Sequence, residues 1–206
     1  MKTNTGKVRI PKQKRSIEKK NAIIVAAIDL FSEKGIYNTN SKEIALKAGV
    51  SIGSFYSYFS DKKALFIEVL EYYLDKHFDM IWNRGNQPEF TTFSREIIHY
   101  YLENLLEAYA VAPEFHRQTH SLRYTDSDVR ALYDKEFEKE IAMLSAILTG
   151  FEEELGDINV MAAAVNIHSS AENIAHTIFF KTIPVSEAEL KAEFVEMLYQ
   201  WLRVTN

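Results

Sequence analysis

Two short helix-forming stretches, KEIALKA and IGSFYSY, meet at Gly49-Val50-Ser51, and this junction constrains the fold more than any other feature of the chain. Ser41 stands where it can cap the first stretch, whose Ile44, Ala45 and Ala48 share one face. Gly49 ends that stretch, because the residue past a helix end often takes a positive φ, which costs glycine nothing. Ser51 can cap again. Ala45 and Ala48 are small enough to let two helices cross closely. The arrangement is a helix-turn-helix, in which the second helix enters the major groove of DNA.

That second helix has an unusual composition for a core element. Only Ile52, Phe55 and Phe59 are clearly apolar, and Phe55 and Phe59, four residues apart, can anchor it. Ser54, Tyr56, Ser57 and Tyr58 supply hydroxyls suited to phosphate oxygens and base edges. Gly53 carries no side chain, so the backbone can approach a sugar-phosphate closely.

The remainder reads as helix throughout. Glycine and proline are scarce, with seven and four in 206 residues, and long stretches contain neither. Ile24, Ala27, Ile28 and Phe31 recur at helical spacing in a first helix over 16–34, closed by Gly35. After the helix-turn-helix, Ser60 or Asp61 can cap a helix over 62–83. NRGNQPEF breaks the chain, and further helices are expected over 93–111, 113–122, 127–154, 158–181 and 187–204. Pro113 suits a first helical turn, and Ser186 with Glu189 forms a capping box. No alternating stretch argues for a strand. The expected fold is all-α with about nine helices.

Charge is divided along the chain. Residues 1–63 carry a net charge of +8 and residues 64–206 a net charge of −13, so one end is suited to a polyanion. Lys7, Arg9, Lys12, Lys14 and Arg15 lie in a polar segment over 1–15 that reads as a flexible arm able to follow DNA. No apolar run of signal-peptide or membrane-spanning length is present, and cysteine is absent, so a cytoplasmic protein without disulfides is expected.

Together Ala27-x-x-Leu30-Phe31-x-x-x-Gly35 and Ile44-Ala45-x-x-Ala48-Gly49-Val50-Ser51-x-Gly53-Ser54-Phe55-Tyr56-x-Tyr58-Phe59-x-x-Lys62-x-x-Leu65 closely resemble the DNA-binding domain of TetR-family transcriptional regulators. The resemblance covers about 17–77 and departs from the commonest pattern at Ser54, Phe55 and Asn40. It implies a three-helix DNA-binding domain over 16–62 and a helical ligand-binding and dimerisation domain over 63–206. It also implies DNA contacts from Ser41, Lys42, Ser51, Ile52, Gly53, Ser54, Tyr56, Ser57 and Tyr58. Lys62 falls on a phosphate-binding lysine. By the same resemblance the chain is a repressor that binds a palindromic double-stranded operator as a homodimer and is released by a small molecule.

The last two long helices are the candidates for dimerisation. Alanine and serine along MAAAVNIHSSAENIAH permit close helix approach, and FVEMLYQWL supplies bulk. For a small apolar or aromatic effector, Phe78, Trp82, Tyr101, Phe115 and Tyr124 are candidate walls, with His168, Asn173 and His176 as polar contacts. His116 and His120 have the spacing of a metal pair, but the sequence places no third ligand beside them, so neither metal nor cofactor is expected. No nucleophile elbow, phosphate loop or HExxH pattern suggests an enzyme. A helical interaction protein that keeps the fold without binding DNA is the alternative reading.

Overall fold

The computed structural model describes residues 14–85 and 87–203. Lys7, Arg9 and Lys12 of the expected arm lie outside the described residues, whereas Lys14 and Arg15 open the first helix. All regular structure among the described residues is helical. The elements are α1 (Lys14–Lys34), α2 (Ser41–Lys47), α3 (Ile52–Tyr58), α4 (Lys62–Trp82), α5 (Arg95–Val111), α6 (Pro113–Leu122), α7 (Ser127–Thr149), α8 (Val160–Phe180) and α9 (Glu187–Arg203). None of these helices is long and apolar enough to cross a membrane.

The chain divides into two compact units, and the division differs from the one expected at residue 62. The first comprises residues up to Leu74 together with Ala112–Leu132; the second comprises Asp75–Val111 together with the residues from Tyr133 onward. Aromatic packing explains why a distant segment joins the first unit. Phe31 of α1 meets Phe66 edge-on at 6.0 Å between ring centroids and stacks on Phe115 of α6 at 6.3 Å. Tyr73 closes the same cluster edge-on to Phe115 at 5.2 Å. Phe31, Phe55, Phe59, Phe115, Leu65 and Val129 are all essentially removed from solvent, so this unit has a core of its own.

The second unit is built by the end of α4, α5, most of α7, α8 and α9. Its apolar interior has one part around Trp82, Leu102, Tyr109, Ala175 and Phe194, and another around Phe93, Ile97, Leu148, Ala164 and Leu202. Helix α5 packs on both α8 and α9, and α8 packs on α9.

Helix ends follow local chemistry. Gly35 has φ +82° and Gly49 φ +66°, conformations that favour glycine. Pro113 occupies the first turn of α6. Ser186 and Glu189 exchange hydrogen bonds at the start of α9, as expected. Among the boundaries that differ from expectation are the end of α7 and the start of α5. Helix α7 stops at Thr149 and residues 151–154 form turns, with the Glu154 carboxylate accepting a hydrogen bond from the Phe93 N–H at 3.0 Å. Helix α5 starts at Arg95, because Phe93 is spent in the core ahead of it.

Candidate nucleic-acid interface and internal cavity

In the first unit, α2 and α3 are held in register by their caps. Asn40, and not Ser41, caps α2: its Oδ1 accepts from the N–H groups of Lys42 and Glu43 at 3.0 and 3.1 Å, and Glu43 Oε2 accepts from the Asn40 N–H at 3.4 Å. Asparagine serves as well as serine in this role, so one residue of register is all that changes. The Gly49 N–H bonds to the Leu46 carbonyl at 3.1 Å and the Val50 N–H to the Ala45 carbonyl at 3.0 Å, closing α2 before the turn. Ser51 Oγ then accepts from the Ser54 N–H at 3.0 Å. At the start of α4, Asp61 accepts from the Ala64 N–H at 2.8 Å, and this bond holds its carboxyl below the usual carboxylate range.

Helix α3 presents two distinct faces. Phe55, Tyr58 and Phe59 are buried; Ser51, Ile52, Gly53, Tyr56 and Ser57 are exposed, and Ser54 is half-buried. Tyr56 is 52% exposed, an uncommon state for a large aromatic ring. A Cβ placed on Gly53 would meet only the Ser51 hydroxyl, at 4.0 Å. The protein therefore has room for a side chain there, and the vacancy suits an external surface brought close to the backbone. Ser57 Oγ donates to the Ser54 carbonyl at 2.6 Å. Lys42 is exposed on α2 and Ser41 is half-buried beside it.

Two residues expected to contact DNA have partners within the protein. Tyr58 is 5% exposed, and its hydroxyl lies 2.9 Å from Ser16 Oγ of α1. It falls three residues after Phe55, on the inward face. Lys62 is committed to the loop between α1 and α2: its ammonium donates to the carbonyls of Ile36 at 2.9 Å, Thr39 at 3.0 Å and Tyr37 at 3.4 Å. It thus fixes the loop from which α2 starts. That loop exposes Tyr37, at 80%, a residue the sequence reading passed over although Gly35 already marked the turn.

The basic charge of this unit is partly consumed within it. Lys20 pairs with Glu68, Lys34 with Glu43 at 3.2 Å, Lys47 with Asp29 at 3.1 Å and Lys63 with Asp128 at 2.7 Å. Lys14, Arg15, Lys19 and Lys42 are exposed.

The second unit contains a cavity lined chiefly by apolar residues of α4, α5, α7, α8 and α9. Three of the candidate effector-site residues, the walls Trp82 and Tyr101 and the polar His168, line it. Phe78 packs behind it, 6.4 Å from the Trp82 ring. Phe115 is core of the first unit, and Tyr124, 63% exposed, also belongs there. Asn173 faces solvent, and His176 packs edge-on to Tyr109 and Phe180 away from the lining. The lining also includes Glu140 and Glu172, neither of which the sequence reading singled out. His116 and His120 stack at 5.6 Å in the first unit, with His116 Nδ1 3.3 Å from the Tyr73 hydroxyl.

Two buried groups of the second unit titrate abnormally. Burial pushes His77 down to about 4, with Glu140 opposing and His168 reinforcing the shift. Burial pushes Glu136 up to about 7, against the attraction of Lys139.

Comparison with known proteins bears on the first unit above all. Residues 23–69 match the family of bacterial regulatory proteins, tetR family. Over 93 residues the chain is 41% identical to the uncharacterized HTH-type transcriptional regulator YuxN of Bacillus subtilis, a match covering 44% of this chain and 31% of that protein. Over 65 residues it is 45% identical to the HTH-type transcriptional regulator RutR of Escherichia coli, covering 31% of each. The chain thus spans about a third of the length of these curated relatives. The fold as a whole is similar to that of a protein from Mesorhizobium loti described as a TetR-family transcriptional regulator, with a TM-score of 0.74, 21% identity, and 93% and 98% of the two chains covered.

The two abnormal groups have opposite effects on stability. Between pH 7 and pH 5 the unfolded chain protonates His77 more readily than the folded protein does, so acidification destabilises through this group by about 2 kcal/mol. Glu136 binds its proton more tightly when folded, so the same acidification stabilises by about 2 kcal/mol. Urea unfolding at both pH values is expected to show His77→Gln gaining stability on acidification and Glu136→Gln losing it, each relative to the parent protein.

Proposed function

We propose that the chain, whose residues 23–69 match the family of bacterial regulatory proteins, tetR family, is a ligand-responsive repressor acting as a homodimer on a palindromic operator. The family is not enzymatic. The observation that carries the reading is the division of α3, where buried Phe55, Tyr58 and Phe59 support an exposed row of Ser51, Ile52, Gly53, Tyr56 and Ser57. Exposed hydroxyls and a bare backbone on a firmly anchored helix suit phosphate and base-edge contacts. Lys42 and half-buried Ser41 and Ser54 extend the surface. Lys62 serves it indirectly by setting the loop before α2.

One helix-turn-helix reads few base pairs, so a symmetric dimer on two half-sites gives useful specificity. The surface of α8 and α9 supports such a pairing. Met161 is 58% exposed, and Met197 and Trp201, one turn apart on α9, are 54% and 39% exposed. The cavity in the second unit is the effector site of this reading. An effector releases DNA only by binding the DNA-incompetent state more tightly. Helix α4 begins in the first unit, and its last turn contributes Ile81 and Trp82 to the cavity wall. In a dimer the operator fixes the distance between reading heads, and an effector that alters this distance prevents both from docking. The cytoplasm, where operator and effector meet, is the place of action.

A palindromic duplex selected from random DNA by the purified protein tests the interface. In fluorescence anisotropy, Tyr56→Ala is expected to weaken binding about tenfold or more, in line with the loss of one specific contact. Tyr58→Phe is expected to leave affinity within about threefold while lowering stability by about 1 kcal/mol, the net worth of one hydrogen bond. Selection of no duplex at low salt would return the chain to the alternative of a helical interaction protein. For the dimer, sedimentation equilibrium is expected to give a two-chain species that Trp201→Glu converts to monomer; an unchanged dimer would remove α9 from the interface.

A further inference from the structure

We propose that the cavity of the second unit selects a small organic cation, an apolar amine or ammonium whose charged end sits at Glu140 and Glu172. The inference rests on the reading of this cavity as the effector site and adds the chemical class of its occupant.

The charge balance of the lining supports the assignment first. Glu140, His168 and Glu172 line the cavity, and no lysine or arginine is among the described residues that do so. Lys139, adjacent to Glu140 in sequence, is turned to Asp75 and Glu136, at 3.0 Å from each. The lining thus carries two carboxylates and, among its described residues, no lysine or arginine, inside walls that are otherwise almost wholly apolar.

Both carboxylates are also held in place. His168 Nε2 lies 2.6 Å from Glu140 Oε2, and the Tyr109 hydroxyl donates to Glu172 Oε2 at 2.6 Å. Glu140 is only 6% exposed. Charge kept this far from water is costly unless an opposite charge or strong donors offset it. A bound cation adds opposite charge beside the two carboxylates, whereas a carboxylate ligand would add a third like charge.

The aromatic wall is an independent observation that points to a ligand. Trp82 is 6% exposed and lines the cavity, and its indole N–H meets no acceptor among the described residues. Buried donors are nearly always paired, so this one suits an acceptor carried by the occupant. The Trp82 and Tyr101 rings lie 5.1 Å apart in the same wall and offer π faces to a cation. The best-fitting occupant is cationic and apolar, with an ether or carbonyl oxygen for Trp82.

Isothermal titration of the full chain with phenylbutylamine, phenylbutanol and phenylbutyrate, which share shape and differ in charge, tests the assignment. The amine is expected to bind about tenfold or more tightly than the alcohol, and the carboxylate most weakly. Glu140→Gln and Glu172→Gln are each expected to reduce amine affinity about tenfold and leave alcohol affinity within about twofold, the alcohol reporting an intact cavity. An alcohol that binds as well as the amine, or a preferred carboxylate, overturns the cation assignment. Leu144→Trp, or the smaller Ala171→Leu should the first fail to fold, separates this failure from that of the cavity. If filling abolishes binding while the alcohol equals the amine, the cavity stands as the site and only the cation claim falls. Should the filled variant bind all probes unchanged, or the parent protein bind none, both claims fall.

Discussion

A helix of seven residues does not persist by itself in water, and α3 exists because Phe55, Tyr58 and Phe59 are driven into the core of the first unit. Each buried aromatic ring contributes about 2–3 kcal/mol of transfer free energy, far more than the helix gains from its few internal hydrogen bonds. This burial decides the orientation of everything else on α3. Once positions 55, 58 and 59 point inward, positions 52, 53, 56 and 57 point outward. The Tyr58–Ser16 contact and the Lys62 bonds to the preceding loop then fix the helix against α1 and the start of α2. The exposed surface is thus presented by a frame whose parts are all buried or bonded.

The same accounting applies to the second unit with the opposite outcome. There the interior is not closed by aromatic packing alone but keeps a cavity edged with two carboxylates and a histidine. Groups such as His77 and Glu136 weaken a core in which they sit, since desolvation disfavours their charged forms. Features of this kind are typical of a binding site more than of a core shaped for stability alone.

Sequence spacing made the helix-turn-helix legible because its determinants are local: two short apolar periods, Gly49 and a cap at Ser51. It was less reliable for amphipathic side chains. Tyr58 carries a hydroxyl and reads as a polar surface residue, yet its ring is buried and a serine 42 positions away satisfies the oxygen. Lys62 reads as a free cation, yet three carbonyls of a preceding loop surround it. In the cavity, Trp82, Tyr101 and His168 were identifiable as aromatic or polar groups on helices. Phe115 was not separable from them, because its place beside Phe31 depends on a contact between helices far apart in sequence. Glu140 and Glu172 were invisible for a similar reason: a glutamate on a long helix is ordinarily solvated, and only packing reveals one turned inward.

Amide chemical-shift mapping on adding the selected operator duplex tests the central claim most directly, because it reports which backbone groups meet DNA without altering any of them. Large shifts are expected at Lys42, Ile52, Gly53, Tyr56 and Ser57, with Phe55 and Tyr58 following only through their neighbours. Shifts concentrated away from α2 and α3, or an unperturbed Gly53 in a saturated complex, would contradict the account.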